Sequence, residues 1–239
     1  MIKWSSFGAS AIGPSHVTAG KPNQDSWLEF HRSWGDGIVV SDGLGSKQFS
    51  DIGSDAVCFA VATGIHACKR RTTITSASLT EQIKINWLSL ITPLEPRDCA
   101  ATCLFALRTD DGFIRLGMLG DGLVAIVKRD DSVFSLSDNK EESFSNMTAA
   151  LSPNTTDGDW QWHAIKEDDC KAVILCSDGI ADDLDDVEGF VREFVNAHRG
   201  LSSTSAARRA REMLDRWPTP KHSDDKTIAC LYREEVEGE

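Results

Sequence analysis

Apolar residues recur along the chain with two different periods. Short alternating or continuous apolar runs predict β-strands at residues 4–11, 27–32, 38–41, 101–107, 113–119, 123–128, 172–176 and 227–232. Apolar positions at helical spacing predict helices over residues 50–70, 78–90, 187–198 and 204–214. Residues 130–169 are polar and irregular, which predicts a surface loop. Because strands alternate with pairs of helices, we expect an α+β fold with helices packed outside β-sheets.

Composition and charge narrow the class of protein. The 239 residues carry a net charge of −12, a field that repels nucleic acid and anionic membranes. The longest apolar stretch, residues 56–65, is about half of what a membrane-spanning helix needs, and no basic-then-apolar leader precedes it. The seven cysteines contain no CxxC pair, which predicts reduced thiols. We therefore expect one cytoplasmic domain over residues 1–239, with a loose acidic tail from about residue 234 and no nucleic-acid or membrane partner.

Aspartates stand where apolar runs end in glycine turns or tight loops. They are Asp42 and Asp178, each followed by glycine, Asp121 between two glycines, and Asp224 and Asp225 directly before the last predicted strand. Carboxylates gathered at one place repel one another unless a cation neutralises them, and hard divalent cations prefer oxygen ligands. Asp-Gly is also a frequent turn dipeptide, so each aspartate taken alone fits a turn more often than a metal site. Periodicity does not prove that these strand ends meet in space.

The order of the motifs carries more information than any one of them. The motifs are GPSH at 13–16, PNQD at 22–25, SDGLGS at 41–46, DCAAT at 98–102, GDG at 120–122, SDGI at 177–180 and DDKT at 224–227. In this order they resemble the metal-dependent protein phosphatases of type 2C, particularly a compact bacterial branch. The resemblance implies a β-sandwich flanked by pairs of antiparallel helices, a four-layer αββα arrangement with metal ions in a cleft at one edge.

The resemblance also implies roles for single residues. Asp42 matches the carboxylate that bridges two Mn²⁺ or Mg²⁺ ions, and the Gly43 carbonyl matches a ligand of one of them. Asp178 and Asp224 resemble the ligands of the other ion. Asp25 matches the aspartate that hydrogen-bonds metal-bound water, which makes Asp42 and Asp25 the expected catalytic residues.

A third, weaker metal site is implied by two further aspartates. Asp121 and Asp182 match the positions that hold this ion in bacterial members of the family. Asp225 stands where many members have asparagine, so an ambiguity of one residue between Asp224 and Asp225 remains open.

Several positions depart from the family pattern. Gln24 replaces a glutamate, and Leu44 replaces the histidine proposed as proton donor in many eukaryotic members. The arginine that holds the substrate phosphate in eukaryotic members has no obvious counterpart. His16 and Lys47 are candidates for phosphate binding, although such a histidine is more often structural and such a lysine more often solvated.

These observations predict a metal-dependent serine/threonine protein phosphatase, in which a hydroxide bridging the two ions attacks phosphorus. The expected partners are a phosphorylated protein substrate and an opposing Ser/Thr kinase. Two alternatives stay open: a non-catalytic sensor or adaptor with the same fold, and a phosphatase of a small phosphorylated metabolite. Cys103 and Arg108 have the wrong spacing for a cysteine phosphatase loop.

Overall fold

The computed structural model describes residues 3–69, 75–137, 148–218 and 223–234. Strands and helices alternate in blocks along these residues. The strands are β1 (Lys3–Ala11), β2 (Asp25–Arg32), β3 (Gly35–Asp42), β4 (Cys103–Thr109), β5 (Phe113–Leu119), β6 (Leu123–Lys128), β7 (Val133–Ser137), β8 (Gln161–Lys166), β9 (Cys170–Cys176) and β10 (Lys226–Glu234). The helices are α1 (Pro14–Ala19), α2 (Ser50–Lys69), α3 (Ser76–Ile91), α4 (Asp178–Ala181), α5 (Val187–His198) and α6 (Ser203–Asp215).

The strands form two antiparallel five-stranded sheets. One sheet has the order β1-β10-β9-β6-β7, and the other has the order β2-β3-β4-β5-β8. A buried apolar layer with side chains from both sheets, among them Ile38, Leu104, Val173 and Leu231, lies between them. This confirms the predicted α+β sandwich.

The helices cover the two outer faces of the sandwich. Helices α2 and α3 pack on the second sheet, where the Trp87 ring is fully buried and its Nε1 donates to the Gly53 carbonyl at 3.2 Å. Helices α5 and α6 pack on the first sheet, and α6 presents Ala206, Ala210 and Leu214 at four-residue spacing to that core. The four layers therefore follow from amphipathic elements that each bury one side.

The prediction of a loop over residues 130–169 is wrong in part. This segment contributes β7 and β8, one edge strand to each sheet, and the solvent-facing side of an edge strand explains its polar composition. Trp160 and Trp162 stack with their ring centroids 5.3 Å apart, and both contact the Phe105 ring. Residues 138–147 of the segment lie outside the described part.

Glu234, at which the expected acidic tail was placed approximately, belongs to the last strand. Glu234 is the last residue of β10, and its carboxylate accepts hydrogen bonds from Lys3 Nζ at 2.8 Å and from the Ser5 hydroxyl. Residues 235–239 lie outside the described part.

Six of the cysteines are described, and all six are free and buried, as predicted for reduced thiols; the Cys68 side chain lies outside the described part. Burial raises the pKa of the Cys170 thiol to about 12, so this thiol is not ionised at neutral pH. Among the described residues, no helix combines the length and the apolar character that crossing a membrane requires.

Candidate metal centre

The aspartates at the strand ends meet at one edge of the sandwich. Asp25 begins β2 and Asp42 ends β3, and the two are opposite each other in the antiparallel register. Asp178 follows β9, and Asp224 precedes β10, which pairs with β9. The antiparallel pairing therefore places the end of one strand beside the start of the next.

Glycine at position 179 allows these strand ends to approach closely. A Cβ atom on Gly179 would lie 2.0 Å from the Asp225 carbonyl oxygen, a distance that no side chain tolerates. In the β5–β6 turn, Gly120 and Gly122 have φ angles of 99° and 108°, a backbone conformation that favours glycine. The glycines beside Asp178 and Asp121 thus allow the close backbone packing and the turn conformation that surround these carboxylates.

Asp25 is buried, the other carboxylates are half-buried, and they raise one another's pKa. The pKa of Asp42 is raised well above its usual range, first by burial and then by the charges of Asp25 and Asp178. Burial raises the pKa of Asp25 to about 7, although a hydrogen bond from Ser177 opposes the shift. The Ser177 hydroxyl donates to Asp25 Oδ2 at 2.7 Å, while the buried Oδ1 has no hydrogen-bond partner among the described residues.

The remaining predicted ligands surround Asp178. The pKa of its carboxyl is raised by burial first, then by the charges of Asp121, Asp224 and Asp182. The buried Oδ1 atom of Asp178 also lacks a partner within the described chain. Asp121 Oδ2 accepts a hydrogen bond from the Thr148 hydroxyl at 2.9 Å. All six predicted aspartates are thus coupled electrostatically in one cluster.

The cluster suits a hard divalent cation. Its donor set consists of carboxylate oxygens, with the buried Gly43 on the turn that follows Asp42. Partly buried carboxylates that repel one another need a positive charge, and the buried oxygens Asp25 Oδ1 and Asp178 Oδ1 have no partner among the described residues. Mg²⁺ and Mn²⁺ prefer such ligands.

The neighbouring Asp225 has a different environment. It is buried, and its carboxylate accepts from the backbone amides of Gly13 and Gln24, both at 2.6 Å. Its Oδ2 also lies 2.8 Å from Nδ1 of His16, which is buried as well. Three bonds therefore engage both oxygens of Asp225 in holding the loop before β2 against β10. His16, Asp224 and Asp225 have ligand atoms within 4.8 Å of one another, and of the two aspartates Asp224 is the better candidate for a metal ligand, because its charge acts on Asp42 and Asp178.

Comparison with known proteins identifies the fold family. The family model described as "Protein phosphatase 2C" matches residues 12–217. The chain belongs to the protein phosphatase 2C family. No curated protein matches the sequence.

Solved phosphatase structures share the fold at low sequence identity. The photosystem II phosphatase PBCP aligns over 96% of this chain and 98% of its own, with 14% identity and a TM-score of 0.69. The catalytic domain of the serine threonine protein phosphatase PstP, in complex with two manganese ions, aligns over 98% of this chain and 100% of its own, with 15% identity and a TM-score of 0.66. Serine/threonine phosphatase Stp1 from Staphylococcus aureus aligns over 100% and 96%, with 13% identity and a TM-score of 0.65.

Two residues of this phosphatase 2C domain were not identified from the sequence. Ser177 holds Asp25 and also accepts from the Thr227 amide at 3.0 Å, and its place before Asp178 in the SDG motif is a signal that points to it. Lys226 is buried, and its Nζ donates to the Asp224 carbonyl at 3.1 Å, which places a cation beside the carboxylate cluster. Nothing in the sequence distinguishes Lys226 from a solvated lysine at the start of a strand.

The two candidates for phosphate binding differ in their surroundings. His16 lies in α1, next to Asp225, and is held there by its hydrogen bond. Lys47 is half-buried in the loop after Asp42, and its ammonium makes no ion pair with a carboxylate of the described residues. The structure therefore places His16 beside the cluster, while a phosphate role for either residue remains a prediction.

Proposed function

We propose that this protein is a metal-dependent phosphatase that hydrolyses phosphoserine and phosphothreonine in proteins. The observation that carries the proposal is the cluster of half-buried carboxylates around Asp42 and the buried Asp25, whose raised pKa values, together with the unpartnered oxygens of Asp25 and Asp178, call for divalent cations. Membership in the phosphatase 2C family supports the same reaction. The structure of PstP with two manganese ions supports Mn²⁺ or Mg²⁺ as the cofactor.

The residues that would hold the cofactor are Asp42 and the Gly43 carbonyl, together with Asp178 and Asp224. Asp121 and Asp182 would hold a third, weaker ion near Asp178. When bound, such ions polarise the phosphoryl group and lower the pKa of water enough to make a nucleophile at neutral pH.

The protein groups would orient the reactants. Asp25 is fixed by the Ser177 hydroxyl through Oδ2, so its Oδ1 is available to accept a hydrogen bond from the attacking water. Attack in line forms the new phosphorus–oxygen bond and breaks the bond to the serine or threonine oxygen, which leaves as the alcohol once protonated. No side chain needs to carry the phosphoryl group.

The test is hydrolysis of p-nitrophenyl phosphate and of a phosphothreonine peptide, with and without Mn²⁺. We expect turnover of both that depends on Mn²⁺. A protein that binds Mn²⁺ by calorimetry but turns over neither compound would be a sensor or adaptor, in contradiction of the proposal. Turnover of small phosphate esters combined with complete inactivity on phosphopeptides would favour a metabolite phosphatase instead.

A further inference from the structure

A cavity lies at the opposite end of β9 and β10 from the aspartate cluster. It has a volume of about 590 Å³ and is lined by the middle of β1, the start of β9, the second half of β10 and the α5–α6 connection. Lys171 of β9 lines the cavity, whereas Asp178 follows the other end of the same strand. Arg233, which lines the cavity, lies eight positions after Asp225, a distance of roughly 25 Å along an extended strand. The cavity is thus distinct from the candidate metal centre.

The cavity has an apolar and aromatic wall. Phe7, Val195, Leu201 and Tyr232 line it. The Phe7 ring packs edge-on against Tyr232, with ring centroids 5.8 Å apart. A volume of this size with such a lining is typical of sites for small organic molecules.

Four cationic side chains line the same cavity, although the chain as a whole is strongly acidic. They are Arg129, Lys171, Arg199 and Arg233, against one acidic residue, Glu234. Arg129 is exposed and makes no ion pair with a carboxylate of the described residues. Lys171 and Arg233 pair with Asp131 and Asp168, whose side chains are 65% and 82% exposed. Such solvated pairs are weak, so an anion in the cavity would compete for these cations.

A buried histidine adds one ring nitrogen without a hydrogen-bond partner among the described residues. His198 lines the cavity and is only 5% exposed, and its Nδ1 lies 2.7 Å from the Phe194 carbonyl oxygen. Burial lowers the pKa of His198, and a carbonyl only accepts, so the neutral ring carries its proton on Nδ1. Nε2 is then an acceptor, and it has no hydrogen-bond partner within the described residues.

The start of α6 contributes a positive potential at the same place. Ser202 lines the cavity and is the N-cap of this 13-residue helix, and its side chain accepts from the Ser205 amide. A helix N-terminus attracts negative charge, here beside Arg199 and the other cations.

We propose that this cavity binds a small amphipathic anion, with an aromatic or aliphatic body against the apolar wall and one carboxylate, sulfonate or phosphate group among the cations. A hydroxyl or N–H group on the body would donate to His198 Nε2. The proposal is independent of the function proposed for the aspartate cluster.

The probe is 8-anilinonaphthalene-1-sulfonate, which combines an aromatic body, an N–H group and one anionic group. Its affinity and stoichiometry are measured on the full chain by fluorescence and calorimetry. N-phenyl-1-naphthylamine, which lacks the sulfonate, is the neutral comparison. We expect one molecule of the sulfonate per chain, bound more tightly than the neutral compound.

Two double variants test the charge. Arg129→Gln with Lys171→Gln should weaken binding of the sulfonate about tenfold and leave the neutral compound unchanged, as expected for loss of charge-assisted contacts. Arg32→Gln with Arg208→Gln removes the same charge from exposed positions outside the cavity and should change the affinity less than about twofold.

A third variant tests the location. Val195→Phe should occupy part of the cavity and weaken binding of both probes, while an unchanged circular dichroism spectrum and a cooperative thermal unfolding transition report that the chain is folded. Several weak binding events that are reduced equally in both double variants would overturn the proposal. Binding that Val195→Phe leaves unaltered would overturn it as well.

Discussion

Asp25→Asn is the substitution whose effect on stability can be calculated most directly. In the folded protein without metal ions, burial raises the pKa of Asp25 from 3.8 to about 7. Between about pH 4 and pH 7 the unfolded chain therefore releases a proton that the folded chain keeps, so folding is penalised as the pH rises. The penalty is absent below pH 4 and complete above pH 7. This rise in the pKa of Asp25 corresponds to about 4 kcal/mol in the free energy of unfolding.

Asparagine should remove this penalty without changing the shape of the side chain. Its carbonyl oxygen still accepts from the Ser177 hydroxyl, and its amide group takes the position of Oδ1, which has no partner among the described residues. There the amide lies near Asp42 and Asp178, whose pKa values the same crowding raises. In EDTA at pH 8 we expect Asp25→Asn to be up to about 4 kcal/mol more stable than the wild type, or roughly 10 °C in Tm. At pH 4 the difference should disappear.

The measurement is thermal and urea unfolding in EDTA at several pH values between 4 and 8. Asp169→Asn makes the same chemical change at an exposed position and should shift the free energy of unfolding by less than about 0.5 kcal/mol at every pH. Mn²⁺ should stabilise the wild type most at high pH, because the ion neutralises the carboxylates. If Asp25→Asn is no more stable than the wild type at pH 8, or if its advantage does not change with pH, the electrostatic account of the cluster is wrong.

The other predictions concern catalysis and packing. Asp42→Asn should lower Mn²⁺-dependent hydrolysis of p-nitrophenyl phosphate by about 10³-fold or more, and retained wild-type turnover would contradict its role as ligand. Asp121→Ala and Asp182→Ala should keep the principal ions bound and raise the Mn²⁺ concentration needed for activity. Complete loss of metal binding in calorimetry would show that the assignment of the aspartates to principal and third metal sites is wrong. Leu44 supplies no proton donor, and a general acid contributes about 10²–10⁴-fold to such a step. If no other acid substitutes, single-turnover rates across aryl phosphates should fall steeply as the leaving-group pKa rises. A flat dependence would show that another acid acts. Gly179→Ala should destabilise the protein by roughly 1–3 kcal/mol in urea unfolding, because its Cβ would clash with the Asp225 carbonyl, and an unchanged stability would contradict that packing argument.

The sequence by itself determined the local elements and the positions of the chemistry. Short-range periodicity is a property of consecutive residues, so the strand that ends at Asp42 and the helix over Val187–His198 were predictable from it. The placement of Asp42 and Asp178 after apolar runs and before glycine also pointed to strand ends. The polar edge strands β7 and β8 were missed, because a strand with one solvated face and few apolar residues resembles a loop.

Only the tertiary structure decided which strand ends meet and what each carboxylate faces. Asp224 and Asp225 are adjacent in sequence and equivalent in local pattern, yet the loop before β2 covers Asp225 with three hydrogen bonds. The charge of Asp224, in contrast, acts on Asp42 and Asp178. Successive side chains near a strand end point in different directions, so neighbouring residues meet different partners. The partners of Asp225 come from a segment about 200 residues away in the sequence, and no local sequence pattern contains that information.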